Sequence, residues 1–292
     1  MIRNFRKMRR QLRAVLLSVG LSVPTVAHAQ TGTLPHVPLF TWEDAVLAGG
    51  FVVGTVALRP VDEDFATHLQ TKYAQQNRYF QEVSTVVRTI AEPGAFIIGG
   101  SLYAVGRLSK QRNMADLGLH GTESVIVASV FAGVLKDAFG RARPFVHPPT
   151  DSTGYNSSDW QFGRGLTKGD SYRSFPSGHS VAAFAAAAAV VNETSRWWPS
   201  MTWVIGPMMY GGAGLVGVSR MYNNKHWASD VMMGAAIGVF AGNKVVRYHH
   251  RTNPGNKFDQ WLLGASLQPA PGGGFTHSLF LAPAPRVAQG RR

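Results

Sequence analysis

The chain has 292 residues and no cysteine, which excludes a disulfide framework and a thiolate-held metal and leaves room for one sizeable core rather than three. Charged residues are 15% of the chain, against about 25% in ordinary soluble domains, so helices buried in protein or facing lipid are favoured. The net charge of +13 falls to +7 without residues 1–29, which hold six basic residues and no acid; that balance suits an anionic substrate or membrane surface. No stripe of Lys and Arg interleaved with aromatics runs through the body, so a nucleic-acid partner is not expected.

Residues 1–29 have the three parts of a secretory signal peptide: a basic start, the apolar run Ala14–Val23, and Ala27-His28-Ala29 ahead of Gln30. An uncleaved anchor is the alternative, and either puts the body outside the cytoplasm, in the cell envelope and periplasmic or periplasm-facing. Residues 30–110 read as N-terminal helices, 111–250 as the core, and 251–292 as a C-terminal hairpin and tail.

Apolar stretches at 45–58, 93–106, 124–135, 180–192, 201–219 and 231–243 predict an all-α bundle of about six core helices. Most of the stretches fall short of the roughly 20 residues a bilayer requires. Only 201–219 is long enough, and its glycines suit close helix packing in a membrane or in water alike, so hydropathy leaves a soluble and an embedded body both open. Met114–Asp137 has apolar residues at helical spacing with Gly140 as a stop, and Val181–Val191 is alanine-rich. Phe145–Phe175 collects Pro, Gly, Ser, Thr, Asp and Asn without a period and reads as a long loop. Leu262–Gln268 and Phe275–Leu281, flanking Pro269–Gly274, read as a small β-hairpin.

Three clusters carry chemistry. Lys136 is followed after six residues by Arg143-Pro144; a lone basic residue near a helix end is ordinarily a solvated cap, but the proline holds Arg143 extended. Phe175-Pro176-Ser177-Gly178-His179 precedes the alanine-rich helix. Pro and Ser there are ordinary capping residues, yet the same turn aims free N–H groups and the positive end of the helix dipole at an anion. Ser219-Arg220 is followed after five residues by His226-Trp-Ala-Ser-Asp230. If a helix begins near Asn224, His226 and Asp230 share a face, and the carboxylate can fix the imidazole tautomer and leave the other nitrogen nucleophilic; a structural His–Asp pair is the plainer alternative.

In order, Lys-x6-Arg-Pro, Pro-Ser-Gly-His and Ser-Arg-x5-His-x3-Asp resemble the complete signature of the type 2 phosphatidic acid phosphatase and vanadium haloperoxidase superfamily. The resemblance spans Lys136 to Asp230, about a third of the chain. It implies a helical bundle with the active site at one end. Lys136, Arg143 and Arg220 would hold the phosphate with Ser177 and the Gly178 N–H; His226 would attack phosphorus, Asp230 would hold its ring, and His179 would protonate the leaving oxygen. No metal and no cofactor would be needed. The roles require His226 neutral and His179 protonated, hence a bell-shaped pH–rate profile.

The expected substrate is a phosphorylated envelope lipid, phosphatidic acid-like or an isoprenyl pyrophosphate, with at least peripheral membrane association. Alternatives are a soluble non-specific acid phosphatase, a vanadate-dependent haloperoxidase, in which vanadate would fill the anion site, and a catalytically silent lipid-binding scaffold. Tyr155, Trp160, Phe162, Arg164, Lys168 and Tyr172, on the loop between the first two clusters, are candidates for a substrate entrance. His249 and His250 read as cations at a helix C-terminus rather than metal ligands, and His120 and His147 as groups behind the first cluster.

Overall fold

The computed structural model describes residues 37–150, 153–269 and 275–279; the expected signal peptide lies outside them. The helices are α1 (Trp42–Leu58), α2 (Asp62–Leu69), α3 (Lys72–Gln75), α4 (Arg78–Thr89), α5 (Ala95–Leu108), α6 (Arg112–Phe139), α7 (Arg164–Thr167), α8 (Gly178–Trp197), α9 (Thr202–Tyr222), α10 (Ala228–Arg247) and α11 (Lys257–Gly264). The backbone of Ala265–Pro269 pairs antiparallel with that of Phe275–Leu279. The turn between them lies outside the described residues, and the small hairpin remains an expectation.

Helix α8 is central, packed against α10, α6 and α9. Its alanines explain the placement, because small side chains let neighbouring axes approach. Val181, Ala182 and Ala185 meet Val125, Ala128 and Ala132 of α6 and Ile237 and Ala241 of α10 in one buried cluster. On α10, Gly234, Gly238 and Gly242 recur every fourth residue and so share a face. A Cβ at Gly238 would lie 2.5 Å from the Val181 carbonyl and 2.7 Å from the Ala185 nitrogen of α8.

Helix boundaries follow local chemistry. Helix α6 stops at Gly140, whose left-handed backbone (φ 54°) returns its N–H to the Lys136 carbonyl. Helix α10 begins at Ala228, later than the sequence suggests, because Asn224 takes a positive φ of 56° and Asp230 reaches back to accept from the Trp227 N–H at 3.0 Å. His226 therefore precedes the helix instead of sharing a face of it with Asp230.

The outer faces are unusually apolar. Ile97, Ile98 and Val105 of α5, Val127, Val130 and Val134 of α6, and Trp203, Met208 and Leu215 of α9 are all exposed. Such a surface exceeds what a water-soluble monomer carries. Trp42–Leu69, Arg112–Phe139 and Pro199–Tyr222 are long and apolar enough to cross a membrane. At 28 residues, α6 reaches about 42 Å, more than the roughly 30 Å hydrocarbon layer. It exceeds the 124–135 run because His120, Glu123 and Lys136, which break the hydropathy, are helical residues whose side chains find polar partners.

The α8–α10 seam should be intolerant of added atoms. Gly238→Val is expected to destabilise by about 1–3 kcal/mol or more through overpacking, whereas Gly212→Ala, with nothing within 4 Å of the added carbon, should leave stability unchanged or slightly raised. Thermal unfolding in detergent checks this; equal behaviour of the two variants would contradict the packing described.

Candidate active site

The three clusters converge where the C-terminal end of α6, the N-terminus of α8, the C-terminal end of α9 and the segment before α10 meet. A cavity of ≈ 400 Å³ opens there, lined by Lys136, Arg143, Gly178, His179, Arg220 and His226, with Glu92, Asp170, Arg173 and Lys225 beside them. Five basic residues against two carboxylates make it a site for an anion.

Lys136 and Arg143 are aimed by partners. Lys136 donates from Nζ to the Arg173 carbonyl at 2.9 Å. Arg143 donates from Nε to the Asp170 carbonyl at 2.7 Å and from Nη2 to Asp170 Oδ1 at 2.6 Å. That leaves Nη1 toward His226 Nε2, 3.2 Å away. Arg220 is nearly buried, and its Nε has no hydrogen-bond partner among the described residues, so the guanidinium reaches the cavity with donors to spare.

The His226 tautomer follows from its neighbours. Nδ1 lies 2.8 Å from the Ser174 carbonyl, and a carbonyl only accepts, so Nδ1 carries the proton and Nε2 keeps its lone pair. That lone pair faces the cavity beside Arg143, as a nucleophile requires. Burial, with Lys136 and Arg143 alongside, holds the His226 pKa well below its ordinary value; Asp230 opposes the shift without overcoming it.

Asp230 and Ser177 stand behind the cavity wall. Asp230 Oδ2 is 3.6 Å from His226 Nδ1, and its closer partners are Arg141 Nη1 and Ser174 Oγ, both at 2.5 Å. Burial alone would raise its pKa, but Arg141 holds the carboxyl well below the usual carboxylate range. Asp230 thus stands beside His226 and also fixes Ser174, whose carbonyl takes the ring proton. Ser177 is fully buried; its hydroxyl accepts from Ser180 at 2.9 Å and its N–H donates to the Asp230 carbonyl at 3.0 Å. Gly178 is on the wall itself, where a Cβ would come within 3.5 Å of Lys136 Cε.

His179 sits on the first turn of α8, with Nδ1 3.5 Å from Glu92 Oε2. Burial, then Arg220, Arg88, Lys136 and Arg143, push its pKa down to about 3. Burial, with Lys136 and Arg143, therefore opposes a proton on His179 as it does on His226 before an anion binds. A phosphate's negative charge acts in the opposite direction and raises His179.

Several site residues carry no separate signal in the sequence. Arg141 is fully buried, donating to Asp62 Oδ2 at 2.7 Å and to Ser229 Oγ at 2.8 Å besides Asp230. Glu92 reaches the cavity from a break between α4 and α5, where its backbone leaves helical geometry; the following proline is the visible hint. From the long loop, Asp170 and Arg173 reach the cavity. Of the loop's aromatic candidates, Tyr155 packs on Trp227, Trp160 contacts Phe175 and Arg141, and Tyr172 lies under Arg164, whereas Phe162 is exposed. His147 pairs with Asp159 within the loop, and His120 lies toward the other end of α6.

Comparison with known proteins agrees with this geometry. Residues 119–254, which contain all three clusters, match the PAP2 superfamily. A lipid A 1-phosphatase of Porphyromonas gingivalis is 38% identical over 90 residues, 30% of this chain; the match spans only 19% of that protein. The crystal structure of a transmembrane PAP2-type phosphatidylglycerolphosphate phosphatase from Bacillus subtilis superposes with a TM-score of 0.52 at 19% identity, covering 74% of this chain and 100% of that one. At that identity the likeness speaks for the fold alone. With the three clusters gathered on one cavity inside the matched region, residues 119–254 are those of a PAP2-superfamily domain.

Proposed function

We propose that the protein is a membrane-embedded, metal-independent phosphatase that removes a phosphoryl group from an envelope lipid through a phosphohistidine at His226. The observation that carries this reading is the unprotonated Nε2 of His226, 3.2 Å from Arg143 Nη1 on a cavity that Lys136 and Arg220 also line. In the proposed reaction Nε2 forms a bond to phosphorus as the phosphorus–oxygen bond to the lipid breaks. The departing oxygen takes a proton by way of His179. Water then attacks phosphorus, releasing inorganic phosphate and restoring His226. The three cations, with the N-terminus of α8 at Gly178, spread over the phosphoryl oxygens the stabilisation that metal ions give in other phosphoryl transfers.

A lipid is favoured over a soluble ester by α6. Ser129, Ala132, Gly133 and Lys136 line the cavity, while Val127, Val130, Phe131 and Val134 of the same helix are exposed. A headgroup in the cavity would therefore leave its acyl or prenyl tail beside an apolar surface. The relatives point the same way, since one is a lipid A 1-phosphatase and the other a phosphatidylglycerolphosphate phosphatase.

Phosphate release from short-chain phosphatidic acid, an isoprenyl pyrophosphate and a soluble phosphomonoester, measured in a chelator, tests the proposal. A lipid substrate should turn over best, and His226→Ala should lower kcat by at least about a thousandfold. Turnover abolished by the chelator, or indifferent to His226, would contradict it; preference for the soluble ester would remove the lipid part.

The pH dependence follows from the depressed imidazoles. Burial and cations oppose protonation of His226, so Nε2 stays available well into the acid range. His179, held at about 3 by protein groups, is neutral in the free enzyme, so the proton for the leaving oxygen enters with the substrate, whose second ionisation lies near about pH 6. The expected kcat/KM falls as pH rises above about 6. A flat profile up to pH 8 would show that the proton has another source.

A further inference from the structure

His120 precedes Lys136 by sixteen residues on α6, a separation of about 24 Å along the helix. There α6, the C-terminal end of α8, the turn after α10 and α11 bury a second cluster of titratable groups that the phosphoryl chemistry does not use. His120 donates from Nδ1 to Glu193 Oε1 at 2.6 Å, and His249 donates from Nε2 to Glu123 Oε2 at 2.8 Å. A carboxylate accepts only, so these bonds put each proton on the outer nitrogen and leave a lone pair on the inner one. The inner nitrogens, His120 Nε2 and His249 Nδ1, lie 3.5 and 2.8 Å from the same atom, Asp259 Oδ1.

With both rings neutral, three electron-pair donors face one another in a buried place; in the absence of a cation, burial opposes a second proton on His249 but the carboxylates favour one, raising its pKa to about 9, and that proton would bridge Nδ1 to Asp259 Oδ1. His120 and Asp259 are 1% and 6% exposed, and neither His120 Nε2 nor Asp259 Oδ1 has a hydrogen-bond partner among the described residues. Asn256 Nδ2 holds Asp259 Oδ2 at 2.9 Å and approaches His249 Nδ1 at 3.1 Å. Placing a second proton on both rings is a poor remedy, because the imidazoles stack with centroids 4.2 Å apart and two cations would then face each other. Imidazoles backed by carboxylates, with free nitrogens converging on one carboxylate oxygen, form the donor arrangement that holds a transition metal.

We propose that His120, His249 and Asp259 form a structural site for one divalent transition-metal cation, Zn²⁺ suiting the donor set best, with a non-protein ligand completing the tetrahedron. The cation would tie α11 to α6 and to the end of α10, on the side of the bundle away from the phosphoryl cavity. Because it would not touch the reacting groups, it is compatible with turnover in a chelator.

The test reads metal rather than activity. Full-length protein produced with Zn²⁺ in the medium, freed of any affinity tag and passed through gel filtration in detergent, should contain about one Zn²⁺ per chain by elemental analysis. Asp259→Asn and His120→Gln should each bring that near zero, while His226→Ala keeps it, and elution position with circular dichroism shows which variants fold. A second readout needs no variant: wild type loaded with Co²⁺ should show the intense visible bands of a tetrahedral site. Wild type without stoichiometric metal after Zn²⁺ or Co²⁺ loading, an octahedral Co²⁺ spectrum, or folded variants that keep wild-type content would each overturn the proposal and leave the cluster as a proton-sharing network.

Discussion

The geometry of the site depends on one buried guanidinium. Arg141 has no access to solvent and is held between Asp62 and Asp230, with Ser229 and the Ser157 carbonyl taking further donors. Charges this deep are costly unless paired and fully hydrogen-bonded, and removing one partner typically costs about 3–5 kcal/mol. From Arg141 a chain of contacts leads outward: Asp230 is fixed, Asp230 fixes the Ser174 hydroxyl, and the Ser174 carbonyl takes the Nδ1 proton of His226. The Nε2 lone pair of His226 is thus aimed by a network that ties the start of α2 to the start of α10.

Close packing and the electrostatics of the cavity support each other. The alanines of α8 and the glycines of α10 bring the helix axes near enough for the N-terminus of α8 to sit against the segment carrying His226. That convergence puts Lys136, Arg143 and Arg220 around one small volume, where their mutual repulsion is relieved by Asp170 and Glu92 until an anion takes up the charge. Burial and the same field push the pKa values of both imidazoles below their ordinary range.

Much of the site was legible in the sequence because its residues sit in three short clusters of fixed spacing, and Gly140 marked the end of α6 by its conformational freedom. Other parts were not. Asp62 is 79 residues from its partner Arg141, and nothing local marks it. The helix carrying Asp230 starts at Ala228 because the side chain of Asp230 itself caps it, which puts His226 ahead of the helix with Nδ1 nearer the Ser174 carbonyl than the Asp230 carboxylate. Hydropathy understated the helices because polar residues with internal partners, such as His120 and Lys136, interrupt the apolar runs without ending the helix. Tyr155, Trp160 and Tyr172 of the long loop pack against neighbours while Phe162 is exposed, a division that a period-free segment does not reveal.

The central claim is that His226 carries the phosphoryl group. Acid-free quenching during turnover of a lipid phosphate, followed by peptide mass spectrometry, tests it directly. The account predicts an acid-labile, alkali-stable phosphoryl group on the peptide containing His226, absent from His226→Ala. A phosphoryl group on any other residue, or full turnover with no covalent intermediate in the wild type, would contradict it.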